Sequence, residues 1–327
     1  MRVIRTASLR PLRGKRIAVL GYGAQGRAQA LNLRDAGCAP MVGLPPSSRA
    51  RAFARRDGFS VMMPDAAVRD ADIILVLAPD QVHGTLYERE IAPHLRIGQA
   101  LVFAHASSVH FGLVQPPRGV DVVLVAPLGP GQRLRELRGR SDGVACFIAV
   151  AQDASGRAWT IARALARGIG CIPPAAIATT FADEAVGDLF GEQAVLCGGL
   201  GALLEAGVET LVARGLSPAN AYLECVYQLD LIVDLIKSDG LAGMYARISP
   251  TAAYGARIAG PRVVTSATRQ ALIRLLRDVE TGRFFRQWVR TAAREPERNW
   301  RPAVSGAIRR GEEQIRSALG KRPSRSR

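Results

Sequence analysis

Lysine is almost absent from this chain. It occurs only at positions 15, 237 and 321 among 44 basic residues, so nearly all positive charge is arginine. A net charge of +16 would suit a nucleic-acid partner. The arginines, however, run along the whole length rather than gathering, which is the mark of coding bias rather than of a binding surface. The densest cluster is the end, residues 321–327, which reads as a basic, disordered tail. Nucleic acid is therefore discounted. Cysteine is equally thin. Cys38, Cys146, Cys171, Cys197 and Cys225 form no Cys-x-x-Cys pair, which excludes a disulfide framework or zinc ribbon and predicts buried thiols in a reducing compartment. No apolar run approaches the roughly 20 residues of a membrane span. The start, Met1-Arg-Val-Ile-Arg5, carries no signal-peptide core. The expectation is a cytoplasmic protein without a membrane partner.

What is present suits two ordinary domains: 327 residues, 48% hydrophobic and 22% charged. Residues 14–20 read as a buried strand. Gly21-Tyr22-Gly23-Ala24-Gln25-Gly26 follows, then a helical stretch to Ala36, then a strand over 40–44. G-x-G-x-x-G alone is a weak signal. Between a strand and a helix it is a dinucleotide-binding turn, in which the backbone comes close to a pyrophosphate at a helix N-terminus. Further strands are expected at 72–77, 100–103, 121–126 and 144–150, alternating with helices. That pattern predicts an α/β, doubly wound, mostly parallel sheet. At Phe181 the periodicity turns helical, with long helices over 183–214, 218–237 and 266–278. The predicted division is a nucleotide domain over 1–181 and an all-α domain over 182–320.

An acidic residue normally ends the second strand and holds the ribose of NAD. Here that place reads Gly43-Leu-Pro-Pro-Ser47-Ser48-Arg49-Ala-Arg51. Ser48, Arg49 and Arg51 suit a 2′-phosphate, so NADPH is favoured over NADH.

In the helical half, Asp188 and Glu192 are four apart, and Glu224 and Gln228 repeat the spacing. Each pair leaves one helix face. Together they would make an oxygen-rich cage suited to Mg²⁺.

Several segments together resemble the short form of the ketol-acid reductoisomerase family. They are Gly21–Gly26, Ala30-Leu-Asn-Leu-Arg-Asp35, Phe103-Ala-His105, His110-Phe-Gly112, Gly129-Pro-Gly131, the run Asp188–Gly199, Leu231-Ile-Val-Asp234, Gly240-Leu-Ala-Gly-Met244 and Gly260-Pro-Arg262. The resemblance extends over about residues 1–320. It implies a Rossmann domain followed by a knotted helical domain that dimerises, each active site being completed by the partner chain. It implies a small 2-hydroxy-3-keto acid substrate, alkyl migration at Mg²⁺, and then reduction by NAD(P)H. By the resemblance, Asp188 bridges two Mg²⁺, Glu192 binds the first, and Glu224 binds the second from the partner chain. Ser249 contacts substrate. His105 stands between cofactor and metals, and Gly131 lies in the cofactor-binding set. His83, His94 and His110 have no such support, and His110 reads as structural.

Three positions depart from the family pattern. Gln228 replaces a metal-binding Glu, Leu128 replaces the catalytic Lys of Ala-Pro-Lys-Gly-Pro-Gly, and Ala106-Ser107-Ser108 replaces Gly-Phe-Asn. Alkyl migration needs cations to ionise a hydroxyl and polarise a ketone. Reduction needs less: a nicotinamide, a polarised C=O or C=N and a proton donor. The expectation is thus an NADPH-dependent oxidoreductase at a Mg²⁺ site, diverged from the parent reaction, acting on a small keto acid or imine. The alternatives are an authentic reductoisomerase of branched-chain amino-acid synthesis and a silent nucleotide-binding homologue.

Overall fold

The computed structural model describes residues 1–296 and 299–320. The basic tail from residue 321 on lies outside the described residues. The chain divides into two compact units, one of Met1–Asp188 with Gly282–Arg294, the other of Leu189–Thr281 with the residues from Glu295 on.

The first unit is built on nine strands: β1 (Arg2–Ile4), β2 (Ile17–Leu20), β3 (Met41–Gly43), β4 (Val61–Met62), β5 (Ile73–Val76), β6 (Ala100–Phe103), β7 (Asp121–Pro127), β8 (Cys146–Gln152) and β9 (Ala176–Ala178). Their order is β1-β9-β8-β7-β6-β5-β2-β3-β4. From β4 to β7 every pairing is parallel, and β8 then runs antiparallel to β7. The central strands are short, apolar and buried at every residue, as parallel strands covered on both faces must be. Side chains alternate between the faces. Ile17, Val19, Ile73 and Leu75 enter one core; Ala18, Leu20, Ile74 and Val76 enter the other. The six strands expected from periodicity are present. The sequence reading passed over β1, β4 and β9, which have only two or three residues each and so no pattern to read.

The helix Arg283–Arg294 belongs to this unit although its sequence falls in the helical half. Phe285 is buried and stacks on Phe111 with ring centroids 5.3 Å apart, which anchors the helix by an aromatic pair.

The second unit is helical: Gly198–Ala213, Pro218–Tyr222, Leu229–Arg247, Pro250–Val263, Ser266–Glu280 and Gly306–Ala318. Ser217, Ser249, Thr265 and Ser305 each cap a helix, the side-chain oxygen accepting from the N–H three residues on. Two of the long helices expected as continuous are interrupted by π turns, at Glu192–Leu196 and Leu223–Tyr227. The small core is Val208, Ala221 and Ile308, with Leu211, Val212 and Val226 packed on it.

Two expectations need correction. Cys197 is exposed, and Cys38 and Cys225 are only partly buried, so the thiols are not all interior. The stretch Phe181–Ala213 is long and apolar enough, by length and composition, to cross a membrane, with a window of mean hydropathy 1.6 of which 6% is buried. Reading for consecutive apolar residues missed it, because its hydrophobicity is spread over Ala, Leu, Val and interspersed Gly.

Candidate active site

The parallel strands deliver their loops to one edge of the sheet, where open α/β sheets bind ligands. Gly21 leaves β2 with φ +102°, and any Cβ there would stand 2.5 Å from the Ala78 nitrogen. Only glycine lets the turn pass so close to the loop after β5. Gly131 is equally constrained, since a side chain would collide with the Ala24 carbonyl. The Gln25 amide donates to Gly129 O at 2.9 Å. The glycine turn and the loop after β7 are thus locked together. Tyr22 is held too: its hydroxyl donates to Asp57 at 2.8 Å and its ring meets Phe59 edge-on.

In front of this turn lies a cavity of about 960 Å³. Its walls are the glycine turn (Gly21 to Gln25), the end of β3 with Ser48, the segment after β5, and Ala292 and Ala293 of the anchored helix. The size suits a dinucleotide. Ser48 lines it; Arg49 and Arg51 do not. The Arg51 guanidinium instead donates to the carbonyls of Leu44 and Met62, pinning the β3 turn to the end of β4.

Beside the turn, β5, β6 and the helix Phe181–Gly191 bring together a polar cluster. His105 follows β6. Its Nε2 lies 2.9 Å from Asp188 Oδ2 and 4.0 Å from Glu184 Oε2, and its Nδ1 lies 3.7 Å from Asp80 Oδ2. The approach to Asp188 is oblique, close enough for an ion pair but off the line of a hydrogen bond. Ser107 Oγ is 2.6 Å from His105 Nδ1. Behind it, buried His83 has Ser108 Oγ at 2.8 Å from Nδ1 and Ala78 O at 2.8 Å from Nε2. A carbonyl only accepts, so Nε2 carries the proton and the Ser108 hydroxyl donates to Nδ1.

Charge follows this geometry. Burial works against a charged His105, but Asp188, Glu184 and Asp80 outweigh it and raise its pKa to about 9. Glu184 is buried, which lifts it to about 7 although His105 and the Ala106 N–H, 2.8 Å away, oppose the rise. His83 is pushed down, first by burial. At neutral pH the site therefore pairs an imidazolium with a carboxyl near its midpoint, an arrangement suited to giving and taking protons.

His105 and Asp188, expected from sequence, thus meet within one unit. Asp80, His83, Glu184, Ser107 and Ser108 were not singled out for this role. Glu184 had a signal, being four residues before Asp188 on one helix. Asp80 and His83 had none beyond following a strand end. In the second unit, Glu192 opens one π turn and Glu224 lies in the other. Gln228 Nε2 donates to Glu224 Oε2 at 3.1 Å, so the expected pairing of these two side chains is real. Ser249 is committed as a helix cap at 3.2 Å from the Ala252 N–H. Leu128, on the loop after β7, is 48% exposed. His110 is exposed against Phe111. Among the described residues no three His, Cys, Asp or Glu side chains gather to hold a metal. The oxygen donors suit Mg²⁺ by type, yet Asp188 faces a histidine here.

Comparison with known proteins agrees with this geometry. Residues 11–174 match the acetohydroxy acid isomeroreductase NADPH-binding domain, and residues 181–320 match the ketol-acid reductoisomerase C-terminal domain. The chain belongs to the ketol-acid reductoisomerase family. It is an NAD(P)H-dependent oxidoreductase, and its length fits the short form of the family. An NADH-preferring ketol-acid reductoisomerase from an uncultured archean superposes with a TM-score of 0.84 at 35% identity, covering 98% of this chain and 96% of that one. A semialdehyde dehydrogenase NAD-binding protein from Cupriavidus necator gives 0.64 at 17% identity, covering 82% of this chain and 99% of its own. A 1-pyrroline-5-carboxylate reductase from Streptococcus pyogenes gives 0.54 at 14% identity, covering 82% and 98%. The last two share the fold alone.

Proposed function

We propose that this reductoisomerase relative reduces a small keto-acid-like or imine substrate with NADPH, and that it has diverged from the parent reaction. The observation that carries this reading is Leu128. An apolar, half-exposed side chain stands where the family places a cation. Gln228, bound to Glu224, removes one anion as well. The two changes nearly cancel in charge, as expected of a pocket refitted to another substrate rather than decayed.

In this reading residues 1–181 bind the nucleotide, and 182–320 supply metal, substrate and dimer contacts. The cofactor lies along the Gly21–Gly26 turn, with Gly131 beside it and its adenosine end over β3. The nicotinamide supplies hydride, and Mg²⁺ bound by Asp188, Glu192 and Glu224 would polarise the acceptor. His105, an imidazolium at neutral pH, is placed to hold the proton that the new hydroxyl or amine requires. Asp188 and Glu184 keep it charged, Ser107 fixes its ring, and Ser249 and Leu128 face the substrate.

A second reading, the authentic reductoisomerase, is favoured by the match to both family domains over nearly the whole chain. NADPH oxidation with Mg²⁺ separates the two when 2-acetolactate is run beside 3-hydroxy-3-methyl-2-ketobutyrate, the isomerised intermediate. Turnover of the intermediate alone fits a retained reductase. Turnover of both establishes the parent reaction and overturns divergence.

A further inference from the structure

We propose that Arg89 reads the 2′-phosphate of NADPH and thereby sets this chain's choice between the two nicotinamide nucleotides. The proposal rests on the assignment of the 960 Å³ cavity to that cofactor. The turn after β3, where this fold places the adenosine ribose, offers no charge to the cavity: it contributes Gly43, Leu44, Pro45, Ser48 and Ala50. Arg51 is occupied by the Leu44 and Met62 carbonyls, and Arg49 lies outside the lining.

The segment after β5 is different. Val82, Thr85, Leu86 and Arg89 recur at three- and four-residue spacing after β5, and all line the cavity. They lie on three consecutive turns, a 3-10 turn over Asp80–Val82, the short helix His83–Leu86 and a π turn over Tyr87–Ile91. Among the described residues lining the cavity, only Arg89 and Glu90 are charged. Arg89 is exposed, and no ion pair among the described residues occupies it. Its planar fork is therefore free to clasp a phosphate. Ser48, in the same lining, adds a hydroxyl donor. Glu90, next in the chain, lines the cavity as well, and its charge opposes an added phosphate. The selectivity is a balance of the two.

Calorimetry on the full chain tests this with NADPH, NADH, 2′,5′-ADP and 5′-AMP, which need no substrate. Arg89→Gln should weaken NADPH and 2′,5′-ADP roughly ten- to a hundredfold, the range for a lost hydrogen bond to a charged group. NADH and 5′-AMP should stay within about twofold. Arg89→Lys should fall between, keeping charge but losing the fork. Glu90→Gln should raise the NADPH:NADH affinity ratio, and a lowered ratio would count against the proposal. Arg51→Gln should weaken all four ligands alike, because it loosens the β3 turn. Equal losses for phosphorylated and unphosphorylated ligands in Arg89→Gln, or a phosphate-selective loss in Arg51→Gln instead, would overturn the assignment to Arg89. Failure of the unsubstituted chain to bind any of the four would remove the cofactor assignment itself, a distinguishable result.

Discussion

The two nitrogens of His105 face different chemistry. Nδ1 meets the Ser107 hydroxyl with Asp80 beyond it at 3.7 Å, and Nε2 meets Asp188 and Glu184. Removing one carboxylate should show which sets the charge. Glu184→Gln is expected to lower His105 from about 9 toward its ordinary 6.5, read by NMR titration of the ring in metal-free protein. An unmoved midpoint would mean that Asp188 and Asp80 suffice. The same shifts fix a sign for stability. Glu184 holds its proton to about 7 against an ordinary 4.5, and His105 to about 9 against 6.5. The folded chain then binds more protons than the unfolded one across both windows. The His105 contribution is complete below 6.5 and gone above 9; the Glu184 penalty starts near 4.5 and is complete above 7. Burial lowers His83, which acts in the opposite sense below 6.5, so metal-free protein should lose stability as pH rises from 6.5 to 9, in denaturant melts across that range. Rising stability over it would contradict both assignments. Ser107→Ala should cut kcat with little change in nucleotide affinity, since the ring loses its orientation but not its charge. Ser107→Thr, which keeps the hydroxyl, should restore most of it.

At the scale of elements, the site depends on strand ends and on helices held by small residues. Gly311 shows the tolerance. A Cβ there would lie 2.7 Å from Tyr222 Cβ and would strike the Pro218 carbonyl. Gly311→Ala should pry Gly306–Ala318 from Pro218–Tyr222 at a cost of about 1–3 kcal/mol, as overpacking does. Thermal unfolding measures it, and a neutral result would show that this pair of helices is loosely packed. The π turns carry Glu192 and Glu224, two of the three carboxylates read from sequence as ligands. Such turns often occur at functional sites. Their i,i+5 bonding shifts the face on which later residues emerge. Spacing of four was thus a sound guide to Glu224 and Gln228, which touch, but no measure of the helices around them.

For the whole molecule, the second unit leaves much apolar surface open. Leu196 is 66% exposed and Leu231 62%. Patches of this kind mark surfaces that another chain covers. The full-length protein should run as a dimer or larger in light scattering, and Leu196→Asp with Leu231→Asp should shift it toward monomer and abolish Mg²⁺-dependent turnover. A monomeric parent protein with full activity would end the idea of a shared site.

The glycine turn, the alternating strands and the switch to helix at Phe181 were all legible in the chain, because each is a local pattern of spacing and residue type. The same is true of the departures at Leu128 and Gln228, which need only identity at a position. The His105 cluster was legible only in part, since Asp80, His83 and Glu184 come from separate elements and acquire meaning only when the sheet brings strand ends together. The β3 arginines show the reverse case. Their type suits a phosphate, yet folding commits Arg51 to backbone carbonyls and puts Arg89, distant in sequence, on the cavity wall. Composition and order determine which groups are available. Packing alone decides which of them are already satisfied and which still face a ligand, because burial and hydrogen bonding depend on neighbours that sequence does not place.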